Sequence, residues 1–297
     1  MTKLRLALSQ YPITAPASLE AFAAKLDGIV AEARAAGAEF VVLPEYASME
    51  TAAAFPGTGN ASSELHSVCA AGPALLEIFR ATAQRHAVWL LPGTLPWQSG
   101  ARIVNRAPLI APDGRLAVQE KTTMTRFEAE QWGVAPGAPH GVFATDWGTV
   151  GIAICYDVEF PSLVRAQVIA GAWLILAPSC TDSLHGFNRV RLSARARALE
   201  NQCFVAVAPT VGFAPSLASV DENHGYAAVF GPVDRGFPAD GVIARGTLDA
   251  PGLVIADLDP EVLHTVRTEG AVRNHRDWPT PGPTHLPTCV LIEPEHP

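Results

Sequence analysis

Short runs of β-branched and aromatic residues recur along the whole chain, and amphipathic helical periods fall between several of them. This alternation constrains the fold most, because strands that alternate with helices build sheets with helices packed on their faces. Strand-like runs are read at 4–8, 40–43, 88–91, 103–111, 116–119, 142–145, 150–154, 173–177, 204–208, 225–230, 242–245 and 253–256. Ser18 is placed to cap a helix whose apolar face carries Leu19, Phe22, Leu26, Ile29, Val30 and Ala33 and which ends at Gly37. Pro73 suits a first helical position ahead of Leu75, Leu76, Phe79 and Ala83. Further helices are expected over 161–170, stopped by Gly171, and over 188–202. Each half thus repeats strand, helix, strand, helix, strand, with a meander between the halves. That order predicts two facing sheets with a helix pair outside each: a single-domain α/β fold, layered α-β-β-α. No Ser/Gly-rich linker divides it. The domain is expected over 1–278. Residues 279–297 carry Pro279, Pro281, Pro283, Pro287, Pro294 and Pro297 and are read as an extended tail.

A chain of 297 residues with 48% hydrophobic content can bury a large core. Its net charge of −8 argues against nucleic acid or an anionic membrane as the main partner. No apolar run approaches the ~18 residues of a membrane span. The five cysteines, Cys69, Cys155, Cys180, Cys203 and Cys289, are odd in number, scattered and free of CxxC spacing. They fit a reduced compartment. With no signal-like N-terminus, a cytoplasmic protein is expected. Asn60-Ala61-Ser62 matches a glycosylation sequon that has no meaning without export. No dinucleotide-binding glycine turn, Walker A motif, HExxH or nucleophile-elbow serine is present, so no cofactor and no metal is expected.

Three apolar runs end on chemically active side chains. Gly151-Ile152-Ala153-Ile154 leads into Cys155, Phe40-Val41-Val42-Leu43-Pro44 into Glu45, and Leu116-Ala117-Val118-Gln119-Glu120 into Lys121. A rigid strand end followed by a reversal holds such a group firmly and leaves it accessible. Ligands in open α/β sheets sit at the carboxyl ends of strands. Taken singly, a cysteine reads as a small buried hydrophobe, and Glu45 and Lys121 as solvated charges. Taken together they supply a nucleophile, a base and a cation, which a thiol of ordinary pKa ~8.5 needs to react near neutrality.

The segments Leu43-Pro44-Glu45, Glu120-Lys121, Phe127-Glu128, Gly151-Ile152-Ala153-Ile154-Cys155-Tyr156-Asp157-Val158-Glu159-Phe160-Pro161 and Arg195-Ala196-Arg197-Ala198-Leu199-Glu200-Asn201 occur in this order. In that set the chain resembles the nitrilase, or carbon–nitrogen hydrolase, superfamily over 3–259. The resemblance implies the same α-β-β-α sandwich and a Glu-Lys-Cys triad of Glu45, Lys121 and Cys155. It also implies a second glutamate at Glu128 and pairing of two copies through helices into a homodimer. The implied activity is thiol amidohydrolysis of a small linear amide through a cysteine thioester. ω-Amidases of the family usually carry Arg where this chain has Glu159, which argues against a dicarboxylic monoamide. Many nitrilases have Trp-Glu after the cysteine where this chain has Tyr156-Asp157, which favours amides over nitriles.

Other residues are placed by position. Tyr46 and Tyr156 flank the triad and can wall a pocket, and Phe127 and Trp132 lie in a segment able to cover it. Ser179 and Thr181 sit in a loop that can hold substrate by hydrogen bonds or cap the helix that follows. Arg197 and Glu200, three apart, are expected to pair. Three rival functions stand beside the amidase: a nitrilase, a cysteine acyl transferase using His185 as base, and a catalytically silent binding module.

Overall fold

The computed structural model describes residues 2–278 except Thr58; the proline-rich segment 279–297 and Cys289 lie outside the described residues. Two ribbons, each six strands wide, face each other. The first runs, in spatial order, Leu116–Glu120, Arg102–Ile110, the consecutive pieces Trp89–Leu91 and Leu95–Ser99, Phe40–Val42, Leu4–Pro12 and Gly252–Leu258. The second runs Val142–Thr145, Gly148–Ile152, Leu174–Ser179, Phe204–Phe213, Ala228–Phe230 and Val242–Arg245. They join where Tyr11 and Pro12 lie parallel to Thr210 and Val211.

The alternation of side chains along the first sheet explains the layering. Leu6, Leu8, Phe40, Val42 and Leu91 point inward and pack against the second sheet's Ile152, Leu174, Leu176 and Ala206. Ala7, Val41, Leu90 and Ile110 point outward, against Phe22, Leu26, Val30, Leu75 and Phe79 of the helices Leu19–Ala35 and Gly72–His86. On the far side, Val164, Val168, Val190, Ala194 and Ala198 of the helices Pro161–Ile169 and Leu184–Asn201 join the second sheet's core. The result is the four-layer sandwich that the alternation predicts.

Several local signals act as expected. Ser18 accepts a hydrogen bond from the Ala21 N–H at 3.2 Å, and Gly37 and Gly171 adopt left-handed φ just past their helices. Others were misread. The fourth helix begins at Leu184, not 188, because the Ser183 hydroxyl caps it through the Gly186 N–H. Helix Ala61–Ala70 is unforeseen, yet Asn60 and Ser63 form a reciprocal capping box at its start. Helix Pro260–Glu269 carries Asp259 as cap and Pro260 at its first position.

The six parallel strands and Leu116–Glu120 all run the same way, so their carboxyl ends share one edge. Glu45, Lys121, Cys155 and Cys180 all follow such ends. The loop carrying Glu45 is wedged against Gly93. A Cβ there would lie 1.8 Å from the Pro44 carbonyl oxygen, and Gly93 has φ +83°. Next to it, Thr94 Oγ1 accepts the Tyr46 N–H at 3.0 Å and holds Tyr46 in its own left-handed conformation, φ 56°. Gly93→Ala should therefore cost about 2–4 kcal/mol from left-handed strain and overpacking. The urea unfolding midpoint checks this, and the variant should also lose function by displacing Glu45.

Candidate active site

Lys121 is wholly buried, and its ammonium lies between two carboxylates: 2.8 Å from Glu45 Oε1 and 2.6 Å from Glu128 Oε2. Burial opposes its charge, but Glu128 and Glu45 outweigh that and drive its pKa well above the ordinary lysine value. Glu45 is buried too and keeps a proton up to about pH 7: burial raises its pKa, Lys121 lowers it, and Glu128 raises it again. For Glu128, burial is overcome by Lys121 and by donated hydrogen bonds, so its pKa falls below the ordinary carboxylate value. The donors are the Thr125 N–H and hydroxyl, both at 2.9 Å, and the Tyr46 hydroxyl at 2.9 Å. Two neighbouring carboxyls are thus pushed apart, one poised near neutrality and one held ionised, the pattern of an acid/base pair.

Cys155 opens a short 3-10 turn, Cys155–Glu159, three residues beyond the Gly148–Ile152 strand. Its φ of +47° is rare for a residue with a side chain, and strain of this kind clusters at functional sites. The sulfur lies 3.6 Å from the Cys180 carbonyl oxygen and partners the Glu45 carboxyl. Cys155 is only 4% exposed, so the open sulfur expected from a strand-end turn is instead a nearly enclosed one. Burial, then the Glu45 charge, raises its pKa well above the ordinary thiol value, while Lys121 pulls it down. The resting sulfur is therefore a thiol, and a base must take its proton when it reacts.

Two further buried residues, neither proposed as a site residue from the sequence, lie in or beside the cluster. Asn105, mid-strand, donates its Nδ2 to Glu45 Oε1 at 2.8 Å and to Glu128 Oε1 at 3.5 Å. Its setting between Val104 and Arg106 in an apolar strand was the available signal, since a buried polar side chain needs a partner. Asp157 accepts from the Thr122 N–H and hydroxyl, the Thr123 N–H and His140 Nε2 at 2.8–3.2 Å.

The other predicted residues are distributed as follows. Tyr46 packs edge-to-face on Trp132, which packs in the same way on Phe127, with centroids 5.1 Å apart in both pairs. The Trp132 indole N–H is buried without a partner, and Phe127 is exposed. Tyr156 packs on Phe160. Ser179 donates its hydroxyl to the Ala177 carbonyl and Thr181 to the His224 carbonyl, so both hydroxyls are engaged by backbone. Cys180 lines the cluster through its N–H, which reaches Glu45 Oε2 at 3.2 Å. His185 falls within helix Leu184–Asn201 and is absent from the hydrogen-bonded cluster around Cys155. Arg197 pairs with Glu200 at 2.5 Å, and it also braces the turn after Cys155 through the Val158 and Glu159 carbonyls. Among the described residues no cluster of metal-ligating side chains occurs, and Cys69, Cys155, Cys180 and Cys203 are free thiols.

Comparison with known proteins places this cluster in a family. The carbon-nitrogen hydrolase family model matches residues 5–268. The chain belongs to the carbon–nitrogen hydrolase family. As a member of the nitrilase superfamily it is a hydrolase of carbon–nitrogen bonds other than peptide bonds. It is 31% identical over 92% of its length to the probable hydrolase YhcX of Bacillus subtilis, of which it spans only 53%. It is 29% identical to the deaminated glutathione amidase of Synechocystis, covering 81% of this chain and 86% of that one. Among solved structures it resembles the amidase from Nesterenkonia sp. AN1, with a TM-score of 0.70 and 25% identity over 93% of this chain and 96% of that one. That amidase was solved as a glutamate-to-glutamine variant with the acetamide moiety of fluoroacetamide added covalently at its active-site cysteine.

The raised pKa of Glu45 has a sign that can be measured. In the unfolded hydrolase Glu45 ionises near 4.5; in the folded one it does so near 7. Between these values only the unfolded chain releases the proton, so stability falls as pH rises and levels off above about 7. Glu45→Gln removes this slope. Its melting temperature relative to the wild type should therefore be higher at pH 8 than at pH 5, as read by calorimetry.

Proposed function

We propose that the protein is a metal-free thiol amidohydrolase that cleaves a small linear amide through a Cys155 thioester, releasing ammonia or an amine and a carboxylic acid. The observation that carries this reading is the buried Lys121 ammonium between Glu45 and Glu128, with the Cys155 sulfur beside Glu45. Glu45 accepts the thiol proton. The thiolate attacks the amide carbonyl, and the developing oxyanion is met by the Lys121 ammonium and the Tyr156 backbone N–H. One such donor is worth roughly 3–4 kcal/mol. Glu45, now protonated, passes its proton to the departing amine, a step worth about 10²–10⁴-fold. Water activated by Glu45 then cleaves the thioester.

Glu128 keeps Lys121 charged and in place. Asn105 holds the Glu45 oxygen that Lys121 also contacts, leaving Oε2 on the side of Cys180. Tyr46, Phe127 and Trp132 offer an aromatic wall, while Tyr156 flanks the nucleophile. Ser179 and Thr181 spend their hydroxyl protons on backbone carbonyls, so toward a substrate they offer acceptor lone pairs only. The covalent adduct on the cysteine of the Nesterenkonia amidase supports the thioester route by similarity. The free cysteines support a reduced, cytoplasmic setting. Ile169, Leu192 and Leu199, exposed on the outer helices, support pairing of two copies.

The test is intact-mass spectrometry after exposure to a panel of amides and nitriles. Wild type should turn over an amide and show a transient acyl adduct on Cys155, and Glu45→Gln, which lacks the base and acid of both half-reactions, should form that adduct far more slowly. Cys155→Ala should show neither. Turnover that survives Cys155→Ala, or is lost only in His185→Ala, would reject the assignment. The wild-type rate should climb with pH through about 7 as Glu45 ionises, and this step should vanish in Glu45→Gln.

A further inference from the structure

Lys121 follows a strand of the first sheet and Cys155 a strand of the second, and among the described residues those two strands do not pair. Something else must fix the gap between ammonium and sulfur. We propose that Asp157 is the positioning residue that sets this gap, by tying the peptide after Lys121 to the turn that carries the nucleophile. The inference rests on Cys155 being that nucleophile.

The geometry is specific. Asp157 is fully buried, two residues after Cys155. Its Oδ1 accepts from the Thr123 N–H at 2.8 Å and the Thr122 hydroxyl at 3.1 Å, and its Oδ2 from the Thr122 N–H and His140 Nε2, both at 3.2 Å. Thr122 N belongs to the peptide bond that follows Lys121. Behind the turn, Arg197 grips the Val158 and Glu159 carbonyls. The turn is thus braced from one side by a helix and drawn from the other toward the lysine.

Residue type matters as well. Four donors converge on this one side chain, because His140 Nδ1 has no partner and leaves Nε2 to carry the ring proton. A carboxylate accepts at every position; an amide would turn its own N–H groups against two of the donors. Asp157→Asn is therefore close in shape but wrong in polarity. It should let the Thr122 peptide swing away and move Lys121 relative to the sulfur. Misplacement on the order of 1 Å costs roughly 10²-fold in a reaction that depends on alignment.

Iodoacetamide labelling of the full-length chain tests this without a known substrate, with peptide mapping to separate Cys155 from the other thiols. Saturation kinetics should show a maximal Cys155 alkylation rate about 10–100-fold below wild type in Asp157→Asn, with half-saturation nearly unchanged. Thr122→Val, which removes a single hydroxyl, should lose about 2–10-fold. A role confined to stability would lower the melting temperature and leave alkylation of the folded protein intact. Wild-type rates in folded Asp157→Asn would overturn the proposal. If that variant fails to fold, an unchanged rate in Thr122→Val does so. The wild type reports separately on the underlying reading: if its Cys155 reacts no faster than Cys180, the nucleophile assignment fails whatever Asp157 does.

Discussion

One buried ammonium organises the centre of this protein. Without Lys121, Glu45 and Glu128 would be two carboxyls sharing a dry space, and burial with mutual repulsion would force both toward neutrality. With it, one carboxylate is ionised outright and the other sits near the middle of the pH scale. The lysine in turn stays charged only because two acids flank it. The cluster is mutually dependent, and removing any member leaves the others badly solvated.

The fold serves that cluster by bringing parallel strand ends to one edge. Each sheet contributes part of the chemistry, and none of the groups is placed by a long loop. The local backbone is under tension where it matters: both Tyr46 and Cys155 are left-handed. Such conformations cost about 1–2 kcal/mol each and persist only where the surroundings enforce them. Here the surroundings are Gly93 and Thr94 under Glu45, and Arg197 with Asp157 around Cys155.

The layering and the three strand-end groups were legible in the sequence because each rests on a local pattern: period-2 runs, 3.6-residue periods, and a reactive residue at the end of an apolar run. Asn105 and Asp157 were harder to see. Their roles depend on partners 60 and 35 residues away, and spacing along the chain carries no trace of such partners. Helix Ala61–Ala70 escaped because Asn60-Ala61-Ser62 was weighed only as a glycosylation sequon, although the Asn60-to-Ser63 box was present as a local sign. The enclosure of Cys155 could not be inferred either, since packing from the opposite sheet produces it.

The first strand has a further implication. Leu4–Leu258 through Gln10–Gly252 pair antiparallel, so this strand meets that neighbour only after all the chain between them has been made. At about 5–20 residues per second that wait is roughly 10–50 s. During it, the strand Leu4–Pro12 can dock on Phe40–Val42 along one side only, leaving the other edge unsatisfied. Truncation before Gly252 would make the loss of that strand partner permanent.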